Sequence, residues 1–391
     1  MHYNGGPAKA MLAGNSVASD HIPYLDGVRG LAALWVFLGH VQILSGMSRL
    51  PLLSYGGLAV DLFMIMSGML MSHHYLLRQQ HEPWKSPRTW ITFWIRRLFR
   101  IAPLYYFLLI VALLAGPVLG NDVALLEHVW PQIAVRLSHY ADRTAGNILM
   151  HLTFVFGVMP AYSIATPLPD WSIGLEMEFY ATFPFLMLLI ARIGAPVAAI
   201  TLVTASIGMS IVFAGFFNQF VLPSLLPMKL YMFLCGILIA VGRWRHSIKV
   251  SMMVSVSCSL VYAMREHSAE AVARVLMVAA VFYLLHDGSL PSSPVLDKII
   301  TRLRGTLGGR MGRFLGDTSY SVYLLHWLIL VPVAAYLATT SGYVELHGSM
   351  RFCMCLVVSG PLVYAASWLL HQFIERPGIR LGRTAARHFN H

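Results

Sequence analysis

Charged residues and cysteines are scarce in this sequence. Only 12% of the 391 residues are Asp, Glu, Lys or Arg, whereas 57% are apolar, and long apolar runs recur along the chain. This composition excludes an ordinary soluble domain and predicts an integral membrane protein. The four cysteines lie in apolar segments without a Cys-x-x-Cys pair. We therefore expect neither a disulfide framework nor a metal site.

Internal repeats and low-complexity tracts are also missing, and so is a basic start followed by a continuous apolar stretch. The last absence argues against a cleaved signal peptide. We expect a disordered cytoplasmic lead at residues 1–20, a single transmembrane domain at 21–378 and a basic cytoplasmic tail at 379–391.

The net charge of +11 raises the question of a nucleic-acid partner. The basic residues, however, cluster in short loops beside apolar segments, and no nucleic-acid-binding motif accompanies them. Membrane topology and contact with anionic lipid headgroups account for most of them. We therefore predict membrane lipids as partners, and no nucleic acid.

Apolar stretches of about 20 residues predict an all-α bundle of about ten transmembrane helices. Their ranges are 28–46, 55–77, 101–120, 171–192, 195–215, 225–241, 248–264, 270–286, 318–338 and 351–373. A shorter apolar stretch at 146–159 would, as a further span, move most basic loop residues to the outer side. We interpret it as a re-entrant or interfacial piece of an outer loop at 121–170, with both termini cytoplasmic.

An arginine and a histidine lie within the first predicted span. Arg29 and His40 enclose ten apolar or small residues. Helical geometry places the two side chains within roughly 20° of the same face and roughly 16 Å apart along the axis. Arg29 would then lie at a membrane surface and His40 near the midplane. Ionisable groups at that depth are costly, and by default they mark a functional site.

Four further ionisable side chains lie within predicted spans: Asp61, Glu176, Glu178 and His326. Each alone could be a structural polar contact between helices. Together with His40 they predict a polar cavity inside the bundle, because unpaired charges facing lipid are unfavourable.

Three arginines, Arg96, Arg97 and Arg100, precede the third predicted span at its cytoplasmic end. Arg97 and Arg100 are three residues apart and therefore share a helix face. Guanidinium groups suit phosphate oxygens. The cluster fits two interpretations, a membrane-edge stop that contacts lipid phosphates or a pocket for a phosphate-bearing cytosolic substrate.

The motifs of the chain resemble, in their order, those of the acyltransferase-3 family of membrane O-acyltransferases. Arg29 and His40 match the Arg-x10-His signature. Five further segments are similar to motifs of that family: Val60–Gly68, Arg96–Tyr106, Trp171–Glu176, Ser319–His326 and Ile374–Pro377. The resemblance spans residues 24–377. It implies a ten-helix bundle that moves acyl groups, usually acetyl from acetyl-CoA, onto hydroxyls of sugars or glycans.

The resemblance and the residue chemistry together predict a donor site and a catalytic residue. The phosphates of acetyl-CoA would bind Arg97 and Arg100, with Arg96 beside them, and the pantetheine arm would pass Arg29. The thioester would then reach His40. His40 would act as a general base or, alternatively, as an acyl-imidazole relay. A thioester is already activated, so the reaction needs no metal.

Two carboxylates and three further side chains complete the predicted site. Glu176 or Asp61 would orient the catalytic histidine or the acceptor hydroxyl. Trp171, Tyr320 and His326 are predicted to bind the substrate.

For two features of the sequence, a structural interpretation stays open beside the functional one. Asp26 precedes Arg29 in the first motif, and it is either the N-cap of the first helix or a catalytic group. Aromatic side chains of the outer loop either stack on sugar rings or form an interfacial belt. They are Trp130, His139, Tyr140, Tyr162 and Trp171.

The predicted protein is therefore a bacterial inner-membrane enzyme that transfers an acyl group from cytosolic acyl-CoA. Its expected acceptor is a sugar hydroxyl of a cell-surface glycan such as lipopolysaccharide O-antigen or exopolysaccharide. A transporter or flippase of a small molecule or lipid-linked sugar is the alternative, since buried charges also serve as relays in such proteins.

Overall fold

The computed structural model describes residues 22–80, 82–131, 133, 138–266, 268–286, 288 and 290–388. The lead predicted at residues 1–20 lies outside this part of the chain. Within it, the secondary structure is helical, without a β-strand.

Nine helical segments in the described ranges are long and apolar enough to cross a membrane. The first eight are α1 Pro23–Leu44, α3 Gly56–Arg78, α4 Pro87–Val129, α7 Trp171–Ile193, α8 Ala195–Val212, α10 Leu226–Trp244, α11 Ile248–Glu266 and α14 Arg310–Thr339. The ninth joins α15 Gly348–Leu370, a π-helical turn at His371–Glu375 and α16 Arg376–His388. The other helices are α2 Pro51–Ser54, α5 Ser138–Ala141, α6 Ala145–Leu152, α9 Ala214–Phe217, α12 Ala269–Leu285 and α13 Pro294–Leu307.

The polytopic all-α fold predicted from the sequence is confirmed. Each predicted span coincides with a helix, although α12, at the eighth predicted span, has only 17 residues. The stretch at 146–159 contains α6 and a 3-10 turn at Val155–Val158. Both are too short to cross a bilayer, which needs about 20 helical residues.

The third predicted span is much longer in the structure than in the prediction. Helix α4 has 43 residues, or roughly 65 Å at the usual rise, about twice the hydrocarbon thickness. Prediction placed the helix start at 101 and the outer loop from 121; both boundaries were wrong. Hydropathy detects only the apolar middle of such a helix. The arginine cluster at 96–100 is consequently helical, not part of a loop.

Two close helix contacts position the polar side chains inside the bundle. At Gly30 of α1, a Cβ atom would collide with the backbone of α14 at Leu315 and Gly316. At Gly68 of α3, it would collide with the backbone of α10 at Phe233. Small residues allow helix backbones to approach in this way. The first contact brings α1 and α14 together, and the second brings α3 against α10.

Candidate active site between two cavities

A cavity of about 980 Å³, which we call the large cavity, opens between α1, α3, α7, α10, α14 and the segment before α7. His40 lines it, as do Trp171, Lys229 and Trp327. Its size is that of a pocket for a drug-sized or larger molecule. A cavity inside the bundle therefore exists, and the predicted catalytic histidine lines it. The four other ionisable side chains predicted to share a cavity with His40 are not part of this wall.

His40 is paired with a second histidine across the α1–α14 contact. The Nδ1 atom of His40 lies 2.8 Å from Nε2 of His326, and the two rings stack with centroids 5.0 Å apart. The Trp327 ring meets His40 edge-on at 5.0 Å. These contacts fix the orientation of the His40 ring. The predicted substrate-binding residue His326 is thus the direct partner of His40.

The hydrogen bonds define which nitrogen of His40 is free. His326 Nδ1 lies 3.0 Å from the Val322 carbonyl oxygen, which can only accept a hydrogen bond, so Nδ1 must carry the proton. In a neutral ring, His326 Nε2 then accepts, and His40 Nδ1 donates to it. Nε2 of His40 is consequently left with its lone pair. A positioned imidazole with a free Nε2 lone pair can act as a general base or a nucleophile.

A second and much smaller cavity of about 60 Å³, which we call the small cavity, lies next to the large cavity. Arg29, Glu176 and Tyr320 line it. The Glu176 carboxylate accepts hydrogen bonds from Ser67 Oγ at 2.9 Å and from the Tyr180 hydroxyl. Tyr320 donates to the Ile101 carbonyl at 2.9 Å. Glu176 therefore lies with Arg29 and is not the partner of His40.

The three clustered arginines have different surroundings. Arg96 makes a two-point hydrogen bond to Glu82, at 3.1 and 2.6 Å. Arg97 lies over the rings of Phe93 and Tyr180, and its Nε is buried without a hydrogen-bond partner among the described residues. Arg97 thus retains donor capacity for a ligand, whereas the guanidinium of Arg96 already holds a carboxylate.

Arg29 and Arg100 lie in a field that contains both signs of charge. Arg29 is close enough to Arg100, Glu176 and Glu375 to interact electrostatically with each. Arg100 interacts with the same two glutamates. The two cations and the two carboxylates thus form a site of mixed charge next to the small cavity.

Glu375 belongs to this site, although its motif gave it no role in advance. It is 3% exposed, and it accepts hydrogen bonds from Ser321 at 3.3 Å and His371 at 3.1 Å. It ends the π-helical turn at His371–Glu375. Such turns occur frequently at functional sites. The Ile374–Pro377 motif was the available signal, because it places an acid beside an arginine at the end of an apolar segment.

Asp61 makes ion pairs with two cations and none with His40. Its two carboxylate oxygens lie 2.6 Å from Lys229 Nζ and 2.6 Å from Arg274 Nε. Arg274 also contacts Glu266 and Glu270, at 2.6 and 3.4 Å. Lys229 and Arg274 were not among the predicted site residues, because each is a single cation in a sequence segment without a motif. A catalytic role for Asp61 stays a prediction, and its contacts favour a role in holding α3, α10 and α12 together.

The segment before α7 forms part of the large-cavity wall. Of the five aromatic side chains predicted to face an acceptor, His139, Tyr140 and Trp171 line this cavity. Trp130 and Tyr162 pack against the apolar core. Part of the predicted aromatic surface is therefore a cavity wall, and part is core.

Asp170, next to Trp171, also lines the large cavity. It accepts hydrogen bonds from Tyr105 at 3.1 Å and Thr166 at 2.9 Å, and its Oδ1 has no hydrogen-bond partner in the described structure. Burial raises the pKa of the Asp170 carboxyl above its usual value, an effect opposed by nearby His151.

The N-cap interpretation of Asp26 is wrong. Helix α1 begins at Pro23 and its N-cap is Ile22, so Asp26 lies in the first helical turn. There it is close enough to Arg29 and Arg100 to interact electrostatically with both.

A family model and several known proteins that are similar to this chain are named as acyltransferases. The family model described as "Acyltransferase domain" matches residues 22–370. "Acyltransferase MdmB" of Streptomyces mycarofaciens is 24% identical, over 92% of each chain. "Putative membrane-bound transacylase BcsY" of Komagataeibacter xylinus is 28% identical, over 91% of this chain and 82% of its own.

A shorter match involves "Peptidoglycan O-acetyltransferase OatA" of Listeria monocytogenes. It is 25% identical over 54% of this chain and 31% of its own length. The comparison with solved structures gave no significant match. The family model covers most of the chain and includes both histidines and the arginine cluster. This chain therefore belongs to the acyltransferase domain family and is a polytopic membrane protein.

Proposed function

We propose that this chain transfers an acyl group, most simply acetyl, from acyl-CoA to a hydroxyl of a sugar in a cell-surface glycan. The donor enters from the arginine side of the bundle, which faces the cytosol, and the acceptor enters the large cavity from the opposite side. The membrane is the bacterial inner membrane.

The observation that carries this proposal is the His40–His326 pair. It leaves Nε2 of His40 with its lone pair at a cavity wall. A hydroxyl group is a poor nucleophile until a base accepts its proton, and an imidazole is the usual group for this task. The arrangement therefore supports acyl transfer to a hydroxyl.

In this reaction the acceptor oxygen attacks the thioester carbonyl carbon, while Nε2 of His40 accepts the hydroxyl proton. The carbon–sulfur bond then breaks, and the proton passes to the departing CoA sulfur. The products are an O-acyl ester and the free thiol of CoA. In the competing scheme Nε2 attacks the thioester carbonyl carbon, the carbon–sulfur bond breaks and CoA leaves as the thiolate. The acceptor hydroxyl then attacks the acyl-imidazole, the carbon–nitrogen bond breaks, and the hydroxyl proton is left to the CoA thiolate.

The donor side is supported by the arginines. CoA carries phosphate groups, and Arg97 and Arg100 lie next to the small cavity, where Arg29 is located. Arg97 retains a buried Nε without a partner among the described residues. Guanidinium groups bind phosphate oxygens through charge-assisted hydrogen bonds.

The acceptor class is supported by the wall of the large cavity. Tyr140 and Trp171 offer rings, and Asp170 offers a carboxylate, which together suit the apolar faces and hydroxyl groups of a sugar. The Listeria relative is named for O-acetylation of peptidoglycan, which is also a cell-surface glycan.

Mass spectrometry of surface glycans tests the proposal. Cells that express the wild-type chain should carry an added acyl mass on a sugar, and His40→Ala should reduce it by about 10²–10⁴-fold. His128→Ala is the matched control, because His128 is exposed at the end of α4. Equal glycan profiles for the wild type and His40→Ala, at matched expression, would contradict the role of His40.

Purified protein in detergent separates transfer from transport. A transferase releases free CoA from acetyl-CoA when an acceptor glycan is added, whereas a transporter requires a sealed membrane. The glycan is taken from the host cells in which the wild-type chain produces the added acyl mass, grown without that chain. Exchange of radiolabelled CoA into acetyl-CoA without any acceptor then distinguishes the two schemes. Exchange by the wild type that is lost in His40→Ala supports the acyl-imidazole, and absence of exchange by the wild type supports the general base.

A further inference from the structure

We infer that Tyr323, held by Ser172, is the movable partition between the two cavities and that its displacement admits the acyl thioester to His40. This positioning role rests on the proposed function. Arg29 lines the small cavity, whereas His40 lines the large one. Val60 and Tyr323 line both. A donor that enters past Arg29 must therefore pass this pair to reach the histidine.

The partition is closed in this structure by contacts from three helices. The Tyr323 hydroxyl on α14 lies 2.7 Å from Ser172 Oγ on α7, which is a hydrogen bond. The Tyr323 ring meets the edge of the Phe63 ring on α3, with centroids 5.8 Å apart and ring planes inclined by 62°. Tyr323 is only 5% exposed. Its ring also lies 6.3 Å from that of His326, centroid to centroid, so one hydrogen bond and two ring contacts fix the side chain across the path.

The volume of the small cavity shows that the path must widen. About 60 Å³ accommodates only a few water molecules. Ligand pockets start at about 300 Å³, and a pantetheine arm that carries an acyl group needs a space of that order. Rotation of Tyr323 is the smallest movement that joins the two cavities, because it breaks one side-chain hydrogen bond and leaves the helices in place.

A closed partition has a chemical purpose. Water that reached the thioester beside His40 would attack it, giving a free carboxylate and the CoA thiol without any transfer. Active sites that close around reactive groups prevent such side reactions. Val60 and Tyr323 would keep donor and water apart until the thioester arrives with the acceptor already in the large cavity.

CoA release from acetyl-CoA without any acceptor tests this role. Tyr323→Ala should raise this hydrolysis about tenfold over the wild type. Tyr323→Phe and Ser172→Ala should each raise it less and to the same extent, and the double variant should add nothing, since both changes remove one hydrogen bond. Tyr106→Phe is the matched control, because that hydroxyl bonds the Leu152 carbonyl away from both cavities.

The rate of acetyl-CoA hydrolysis without an acceptor distinguishes a partition from a merely structural role. Damage to the fold lowers the rates of both transfer and hydrolysis, whereas loss of the partition raises the rate of hydrolysis. The inference would be overturned if all three single variants, Tyr323→Ala, Tyr323→Phe and Ser172→Ala, hydrolysed acetyl-CoA at the wild-type rate and still transferred the acyl group. Tyr323→Phe preserves the ring and therefore remains informative if Tyr323→Ala fails to fold.

Thiol labelling tests the barrier without relying on enzymatic activity. Ser67→Cys places a thiol in the small cavity, in a chain whose four cysteines are replaced by Ala. A membrane-impermeant maleimide applied to sealed vesicles from the large-cavity face should label it only when Tyr323→Ala is also present. Equal labelling of Ser67→Cys with Tyr323 intact and with Tyr323→Ala would overturn the partition. Labelling that depends on Tyr323, in a protein that never consumes acetyl-CoA, supports the partition and overturns the proposed transfer.

Discussion

Two groups of charged side chains lie inside this helical bundle, and they differ in how completely they are paired. Asp61, Lys229 and Arg274 form the first, which we call the paired cluster. All three are less than 10% exposed, and each cation contacts at least one carboxylate. Arg29, Arg97 and Arg100 form the second, which we call the arginine group. Within it, the Nε of Arg97 is buried without a partner among the described residues.

The difference shows that a buried charge does not by itself identify a functional residue. Charges that neutralise one another contribute to the fold, because removing one leaves the other unpaired in a medium of low polarity. Charges with free donors near a cavity are ready for a ligand. Counting the hydrogen-bond partners of each group separates the two cases, and variants in each group test the separation.

The largest effect is expected in the paired cluster. Asp61→Asn leaves the buried cations Lys229 and Arg274 without their shared carboxylate, and the unfolding free energy should fall by about 3–5 kcal/mol. Thermal and denaturant unfolding of the purified protein in detergent measure this loss. The Michaelis constant for acetyl-CoA should change little in the fraction that remains folded.

A compensating variant sharpens this prediction. Lys229→Met added to Asp61→Asn removes the orphaned ammonium, while Arg274 keeps Glu266 and Glu270. Much of the stability should return. If Asp61→Asn is instead stable and inactive, the paired cluster belongs to the catalytic machinery, and the distinction between the two groups fails.

The next effect is expected in the arginine group. Arg97→Gln removes a guanidinium that is proposed to hold phosphate and whose Nε is buried, and hydrogen bonds to charged groups contribute about 1.5–3 kcal/mol. The Michaelis constant for acetyl-CoA should therefore rise by about 10–100-fold. Steady-state kinetics with varied acetyl-CoA measure it, and stability should change less than for Asp61→Asn.

Arg96→Gln is the matched control for that measurement. Arg96 lies one residue away on the same helix but already holds Glu82 at two points. Its replacement should alter the Michaelis constant only a few-fold. Equal effects of Arg96→Gln and Arg97→Gln would mean that general positive charge, rather than the free donor of Arg97, determines affinity.

The helices were predictable because their apolar runs are long, and a bilayer demands such runs. Their ends were less predictable. Helix α4 extends past the predicted span at both ends through polar residues that hydropathy does not detect. The existence of an element thus follows from composition, whereas its ends depend on caps and on tertiary contacts.

The site could be predicted as a set of residue types but not as a set of pairs. His40 and His326 are 286 residues apart, and nothing in either motif shows that their rings stack. Asp61 and Lys229 are 168 residues apart. Such pairs depend on which helices approach closely, and the glycines that permit the approach are common throughout the sequence. Glu176 was consequently predicted beside His40 although it lies with Arg29.

The smallest effect is expected at the wall of the large cavity. Trp171→Ala removes a ring proposed to stack on the acceptor sugar, and an aromatic contact of this kind contributes about 0.5–1.5 kcal/mol. The Michaelis constant for the acceptor should rise by about 2–10-fold, while that for acetyl-CoA stays constant. Trp130→Phe is the control, because Trp130 packs with Tyr343 and Arg351 in the core. Since the two cavities are proposed to serve different substrates, a change in the acetyl-CoA constant for Trp171→Ala would place donor and acceptor on the same side of the partition.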